Sequence, residues 1–217
     1  MKYTATFTDK SADVFLTIGK ADGSQVQKTV PFEKFVDVLK DEDEKRGRKI
    51  KRIGKLPNGF IDGGVDGDDM EVLIHVPKGI RPLEYYGTTY VIPWPDLVFY
   101  LRSTKGKVTT SRLFCVDGIP NGQSKLLFYP FGNVHGDGKI CWGQNVLPKV
   151  KRFCDFDEIV SLFFSADTND DLYNTFVLKQ GHKKKELTQR ELLETLKSMK
   201  EFPTKYLRDT GIAFNQL

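Results

Sequence analysis

Alternation of apolar and polar positions dominates the N-terminal part of the chain. Residues 2–8, 13–19 and 25–30 each alternate, and Ala21-Asp22-Gly23-Ser24 supplies a turn between the last two. A period of two bounded by turn residues predicts a small antiparallel meander. Phe32, Phe35, Val36, Val38 and Leu39 then recur at helical spacing, which predicts a short helix closing the unit. The charged segment 41–55 and the Gly/Asp-rich 57–69 carry no periodicity and read as the loosest part of the chain, so a domain boundary is expected there. The expected division is 1–56, a β-meander with helix and charged linker, and 57–217, a second domain.

The β pattern returns at Val72–Val76 and Thr88–Ile92, the latter ended by Pro93-Trp94-Pro95. Leu97–Leu101, Lys107–Val116 and Lys125–Tyr129 follow, separated by Thr104-Lys105-Gly106 and Asp117–Gly122, and predict a meander of three consecutive strands. A glycine-rich segment, 131–145, comes next without periodicity. Asp155-Phe156-Asp157-Glu158 and Thr188-Gln189-Arg190-Glu191 have the side chains of capping boxes. Behind them lie the apolar stripes Phe156/Ile159/Val160/Phe163/Phe164 and Leu192/Leu193/Leu196/Met199, with Pro203 as a stop. Strands first and helices afterwards predict an α+β fold and argue against a parallel doubly wound sheet.

Composition narrows this picture little. The 217 residues include 39% hydrophobic ones and 16 Phe, enough for a real core. No apolar run is long enough for a transmembrane helix, and the alternating N-terminus does not look like a signal peptide. Three cysteines, an odd number, make no disulfide framework, so a reducing cytosol is the simplest compartment. The formal charge of +4 is mild. Its one concentration is Lys45, Arg46, Arg48, Lys49, Lys51, Arg52 and Lys55, directly after four acids. That cluster either holds phosphates or is a solvated linker, and the absence of interleaved aromatics disfavours nucleic acid.

Signatures of phosphate loops, serine elbows and HExxH zinc sites are absent. His75, His135, His182, Cys115, Cys141 and Cys154 lack the clustered spacing of a metal site, so no metal is expected. His75 and Cys115 sit in strand contexts and read as sheet and core residues; Cys154 sits at a helix start. Cys141 differs. Glycines 132, 136, 138 and 143 surround it, which predicts an exposed thiol in an irregular loop, with Lys139 or His135 near enough in sequence to stabilise a thiolate.

The segment Asn133-Val134-His135-Gly136-Asp137-Gly138-Lys139-Ile140-Cys141 resembles the active-site segment of ubiquitin-conjugating enzymes, His-Pro-Asn-[Ile/Val], a turn, then Gly-x-[Ile/Val]-Cys-Leu. The spacing from Asn to Cys agrees residue for residue. Phe131-Gly132 stand where His-Pro would be, and Trp142 where Leu is usual. Pro95–Phe99, Leu127–Tyr129, Gly138–Gly143 and Phe163-Phe164-Ser165 further resemble the conjugating-enzyme-like family of PRTRC system protein B, over about residues 90–170.

That resemblance implies a meander sheet of the conjugating-enzyme (UBC) kind packed by C-terminal helices, with an N-terminal β-rich extension. It implies Cys141 as a thioester carrier and Asn133 as either an oxyanion donor or a loop brace. His135, Asp137 and Trp142 are possible supports; Trp142 either keeps water from the thioester or is a core residue. No cofactor is implied. The implied partners are a ubiquitin-like protein, a ThiF-type activating enzyme and a JAB-type isopeptidase of the same cassette. A degenerate scaffold of the same fold is the alternative.

Overall fold

The structure, a computed structural model, describes residues 2–6, 13–20, 23–37, 54–174, 176–180 and 183–217. Contacts divide the chain into two units, Met1–Arg52 and Ile53–Leu217. Of the basic cluster, Lys45, Arg46, Arg48, Lys49, Lys51 and Arg52 lie outside the described residues, as do Val38 and Leu39 of the expected helix stripe.

In the first unit β1 (Lys2–Thr6), β2 (Asp13–Gly19) and β3 (Gln25–Pro31) form an antiparallel sheet in the order β1-β2-β3. Residues 32–37 are helical, α1. Gly23, at φ +83°, turns the chain between β2 and β3, and Lys20 N–H closes the turn on Ser24 O at 2.9 Å. Val14 is fully buried, whereas Phe15 and Phe32 stay exposed.

The second unit is built on a six-stranded sheet. Its strands are β4 (Phe60–Asp66), β5 (Asp69–Val76), β8 (Asp96–Thr104), β9 (Lys107–Val116), β10 (Lys125–Leu127) and β13 (Asp209–Ala213). They lie in the order β13-β10-β9-β8-β5-β4, each pair antiparallel. Two separate hairpins accompany it: β6 (Gly79–Tyr85) with β7 (Thr88–Trp94), and β11 (Phe176–Gln180) with β12 (Lys183–Leu187). Helices α2 (Phe156–Ser165) and α3 (Gln189–Leu196) complete an α+β architecture.

The period of two in β8 and β9 sorts their side chains onto two faces. Leu97, Phe99, Leu101, Leu113 and Cys115 join Phe156, Ile159 and Phe163 of α2 in the main core. Val98, Phe114 and Val116, with Leu126, form a second cluster under Ile212, Phe214 and Leu217. Each such fully buried Leu or Phe contributes about 1.5–3 kcal/mol, so both faces of the sheet hold the fold together.

Several expectations change. The segment 57–69, expected to be loose, contains β4 and its hairpin into β5 through Gly67-Asp68. Strand β7 runs on through Pro93 to Trp94, because β7 pairs only with β6 in its sheet and the proline's missing N–H costs no ladder bond. Tyr129 falls outside β10, and the two α-helices are not the last elements: β13 follows α3 and returns to pair with β10. The Asp155 side chain makes no cap on α2. It turns back to accept from Lys151 N and Arg152 N, both at 2.9 Å, and from the Arg152 guanidinium. The box at Thr188 forms as its residues predict: Glu191 N donates to Thr188 Oγ1 at 3.2 Å, and Thr188 N donates to Glu191 Oε2 at 3.0 Å.

Candidate active site

The chain leaves β10 at Phe128 and buries Phe131 completely, its ring 5.4 Å from that of Trp94 and 5.5 Å from that of Tyr129. Gly132 follows because no side chain fits: a Cβ there would lie 2.2 Å from the carbonyl oxygen of Asn169. Asn133 takes a left-handed backbone, φ +67°, a conformation that asparagine tolerates better than most residues. Its side-chain Nδ2 donates to the carbonyl oxygen of Asp167 at 2.8 Å. Backbone and side chain together tie this segment to the loop after α2.

A tight hairpin starts here. Cys141 N donates to Asn133 O at 2.8 Å and His135 N to Lys139 O at 2.9 Å, while Gly138 N closes the turn on His135 O. Lys139 N is further held by Asp137 Oδ1 at 3.0 Å. The returning arm adds to β9: Leu113 N donates to Gly138 O and Ile140 N to Ser111 O. Alternation then sets the side chains. Ile140 points into the core, and Cys141 next to it is exposed. Trp142 is half-buried against the core, its ring 6.2 Å from that of Phe163 and its Nε1 donating to Ser111 Oγ at 2.9 Å.

Cys141 opens on a cleft of about 350 Å³ lined also by Asn133, Trp142, Gln144, Asn145, Asp167 and Asp171. The structure therefore brings Asn133, Cys141 and Trp142 together. His135 and Asp137 are exposed on the hairpin and do not line the cleft. Its acidic wall escaped sequence reasoning. Loop 167–171 is positioned by distant contacts: Thr168 N donates to Glu84 O, Gly87 N to Asp167 Oδ1, and Tyr85 Oη to Asp170. The local signal was only a polar run, Asp167-Thr168-Asn169-Asp170-Asp171, behind α2.

The other two thiols are set apart. Cys115 is fully buried, and burial, reinforced by the negative field of Asp96, pushes its thiol well above the ordinary range. Cys154 is half-buried in a single 3-10 turn with its Sγ 3.6 Å from Asp155 Oδ1. His75 Nε2 lies 2.9 Å from Asp96 Oδ1, a paired residue of the sheet. Among the described residues no group of three His, Cys, Asp or Glu converges on a metal-sized site, and no helix is long and apolar enough to cross a membrane.

Residues 73–210 match a prokaryotic E2 family, a ubiquitin-conjugating-like class. The chain belongs to Prokaryotic E2 family D. Comparison with curated proteins and with solved structures gave no significant match.

Proposed function

We propose that Cys141 accepts the C-terminal acyl group of a ubiquitin-like protein as a thioester and passes it to an amine. The observation that carries this reading is the placement of the thiols: Cys141 is exposed on a braced hairpin beside a cleft, while Cys115 is buried and Cys154 half-buried. In loading, the Cys141 thiolate attacks the donor thioester of an activating enzyme and expels that enzyme's thiolate. In discharge, an amine attacks the Cys141 thioester, loses a proton, and expels the Cys141 thiolate. A thiol suits both steps, being nucleophilic as thiolate and a good leaving group from an acyl centre.

Asn133 acts as a brace. One amide N–H is already committed to Asp167 O, and the bond joins the nucleophile's hairpin to the acidic wall. Asp167 and Asp171 favour a cationic amine such as a lysine side chain in the cleft. Trp142 anchors the loop to β9 through the bond from its Nε1 to Ser111 Oγ. The resemblance to PRTRC system protein B supports a ThiF-type activating enzyme, a ubiquitin-like protein and a JAB-type isopeptidase as partners. A binding scaffold without chemistry is the second reading, favoured by the buried Phe131 at the position where an imidazole is usual.

Incubation with such an activating enzyme, its ubiquitin-like protein and ATP, followed by a non-reducing gel, tests the proposal. A thiol-sensitive adduct is expected. Cys141→Ser should carry an ester that resists reducing agent and yields to alkali, since an alkoxide leaves less readily than a thiolate. An adduct that persists in Cys141→Ala, or that maps to Cys115 or Cys154, overturns the assignment. No adduct under any condition leaves the scaffold.

A further inference from the structure

A larger cavity, about 520 Å³, shares no lining residue with the Cys141 cleft and is walled by the end of β10, the β11–β12 hairpin and the segment 204–208. Its volume falls within the range of about 300–1,000 Å³ usual for small-molecule sites. Phe128, Phe176 and Tyr206 wall it with aromatic surface. Lys205 Nζ sits 5.1 Å from the centre of the Tyr206 ring, and the Arg208 guanidinium 5.2 Å from that of Phe128. Neither cation has a carboxylate within ion-pair distance among the described residues. The Asn174 amide and the Glu186 carboxylate, also lining the cavity, have no side-chain hydrogen bond among the described residues.

This combination defines a ligand. Lys205 and Arg208, without ion-pair partners among the described residues, outweigh the single Glu186 carboxylate, so the cavity is net positive and suits an anionic group such as a phosphate monoester. Aromatic walls accept a flat body by stacking. An amide and a carboxylate without partners offer both donors and acceptors for the edge of a heterocycle. We propose that this cavity binds a nucleoside phosphate, its base against Phe128, Phe176 and Tyr206 and its phosphate on Lys205 and Arg208. The site is separate from the Cys141 cleft and stands whether or not Cys141 carries a thioester.

Calorimetric titration of the full chain with adenosine 5′-monophosphate tests it. Saturable one-to-one binding is expected, with adenosine and inorganic phosphate each at least tenfold weaker. Lys205→Ala and Arg208→Ala should each weaken binding fivefold or more, and Tyr206→Leu should weaken adenosine and the nucleotide alike. Cys141→Ala should bind as the unchanged chain does. A 5′-phosphorylated single-stranded oligonucleotide separates the sources: equal affinity points to a terminal nucleotide, and a tenfold preference for the monophosphate points to the free ligand. Absence of saturable binding, or binding indifferent to Lys205→Ala and Arg208→Ala, overturns the proposal.

Discussion

Replacing Gly138 by alanine tests whether the Cys141 hairpin is seated on the second face of the sheet. The new Cβ would lie 2.3 Å from Cζ of Phe114 and 2.5 Å from its Cε1, distances that no relaxed structure tolerates. Phe114 cannot swing away, because it is 1% exposed between Val98, Val116 and Leu126. Gly138 also sits at φ +83°, where a side chain costs about 1–2 kcal/mol. Overpacking a well-filled cluster adds about 1–3 kcal/mol. The sum is about 2–5 kcal/mol, or roughly 4–20 °C in melting temperature for a domain of this size.

Two neighbouring glycines separate the contributions. Gly143, at φ +54° with nothing within 4 Å of its would-be Cβ, meets only the backbone cost, about 1–2 kcal/mol. Gly136 has neither a left-handed φ nor a close neighbour, so its alanine variant should fall within about 0.5 kcal/mol of the parent. Urea unfolding followed by tryptophan fluorescence gives the three values. Combining Gly138→Ala with Phe114→Leu should show favourable coupling in a double-mutant cycle. If Gly138→Ala costs no more than Gly143→Ala, the hairpin is not packed on Phe114 and the account of how Cys141 is positioned fails.

Alkylation of the native protein with iodoacetamide, read by peptide mass spectrometry, should label exposed Cys141 first and leave Cys115 unmodified until the chain unfolds; early labelling of Cys115 contradicts its burial. Asn133→Ala should destabilise by about 2–3 kcal/mol, summing a lost hydrogen bond of about 1 kcal/mol and a left-handed backbone cost. Asn133→Gly should recover the backbone part alone, and equal losses for the two variants would refute that division. Burial of Asp155 works to raise its pKa, but the N–H groups of Lys151 and Arg152 and the Arg152 guanidinium outweigh it and hold the carboxyl below the usual range. Its stabilisation is therefore present above the ordinary aspartate pKa and disappears as pH falls through the folded-state value. Asp155→Asn should accordingly lose stability near neutral pH and converge with the parent in acid; parallel stability curves across that range would refute the contact.

What the sequence determined by itself was local. The meander 97–116 was legible because each strand is a short run rich in apolar, aromatic and β-branched residues bounded by turn residues such as Thr104-Lys105-Gly106, and the start of α3 because Thr188 and Glu191 satisfy one another within a single turn. The exposed thiol was legible because glycines and polar residues around Cys141 leave no apolar pattern to bury it. Strands β4, β6, β11, β12 and β13 were not, because their glycines, prolines and lysines argue against a strand until a partner strand supplies the hydrogen bonds. Asp155 could not be assigned from its capping pattern either, since the same carboxylate satisfies a different set of N–H groups just upstream. The tertiary structure alone decided the cleft. Asn133 and Asp167 are 34 residues apart, and only the packing of Gly132 on Asn169 and the anchoring of loop 167–171 on β6 bring that amide to its carbonyl. A hydrogen bond between distant residues leaves no periodic trace in either segment, because its geometry is set by the packed core and not by neighbours in the chain.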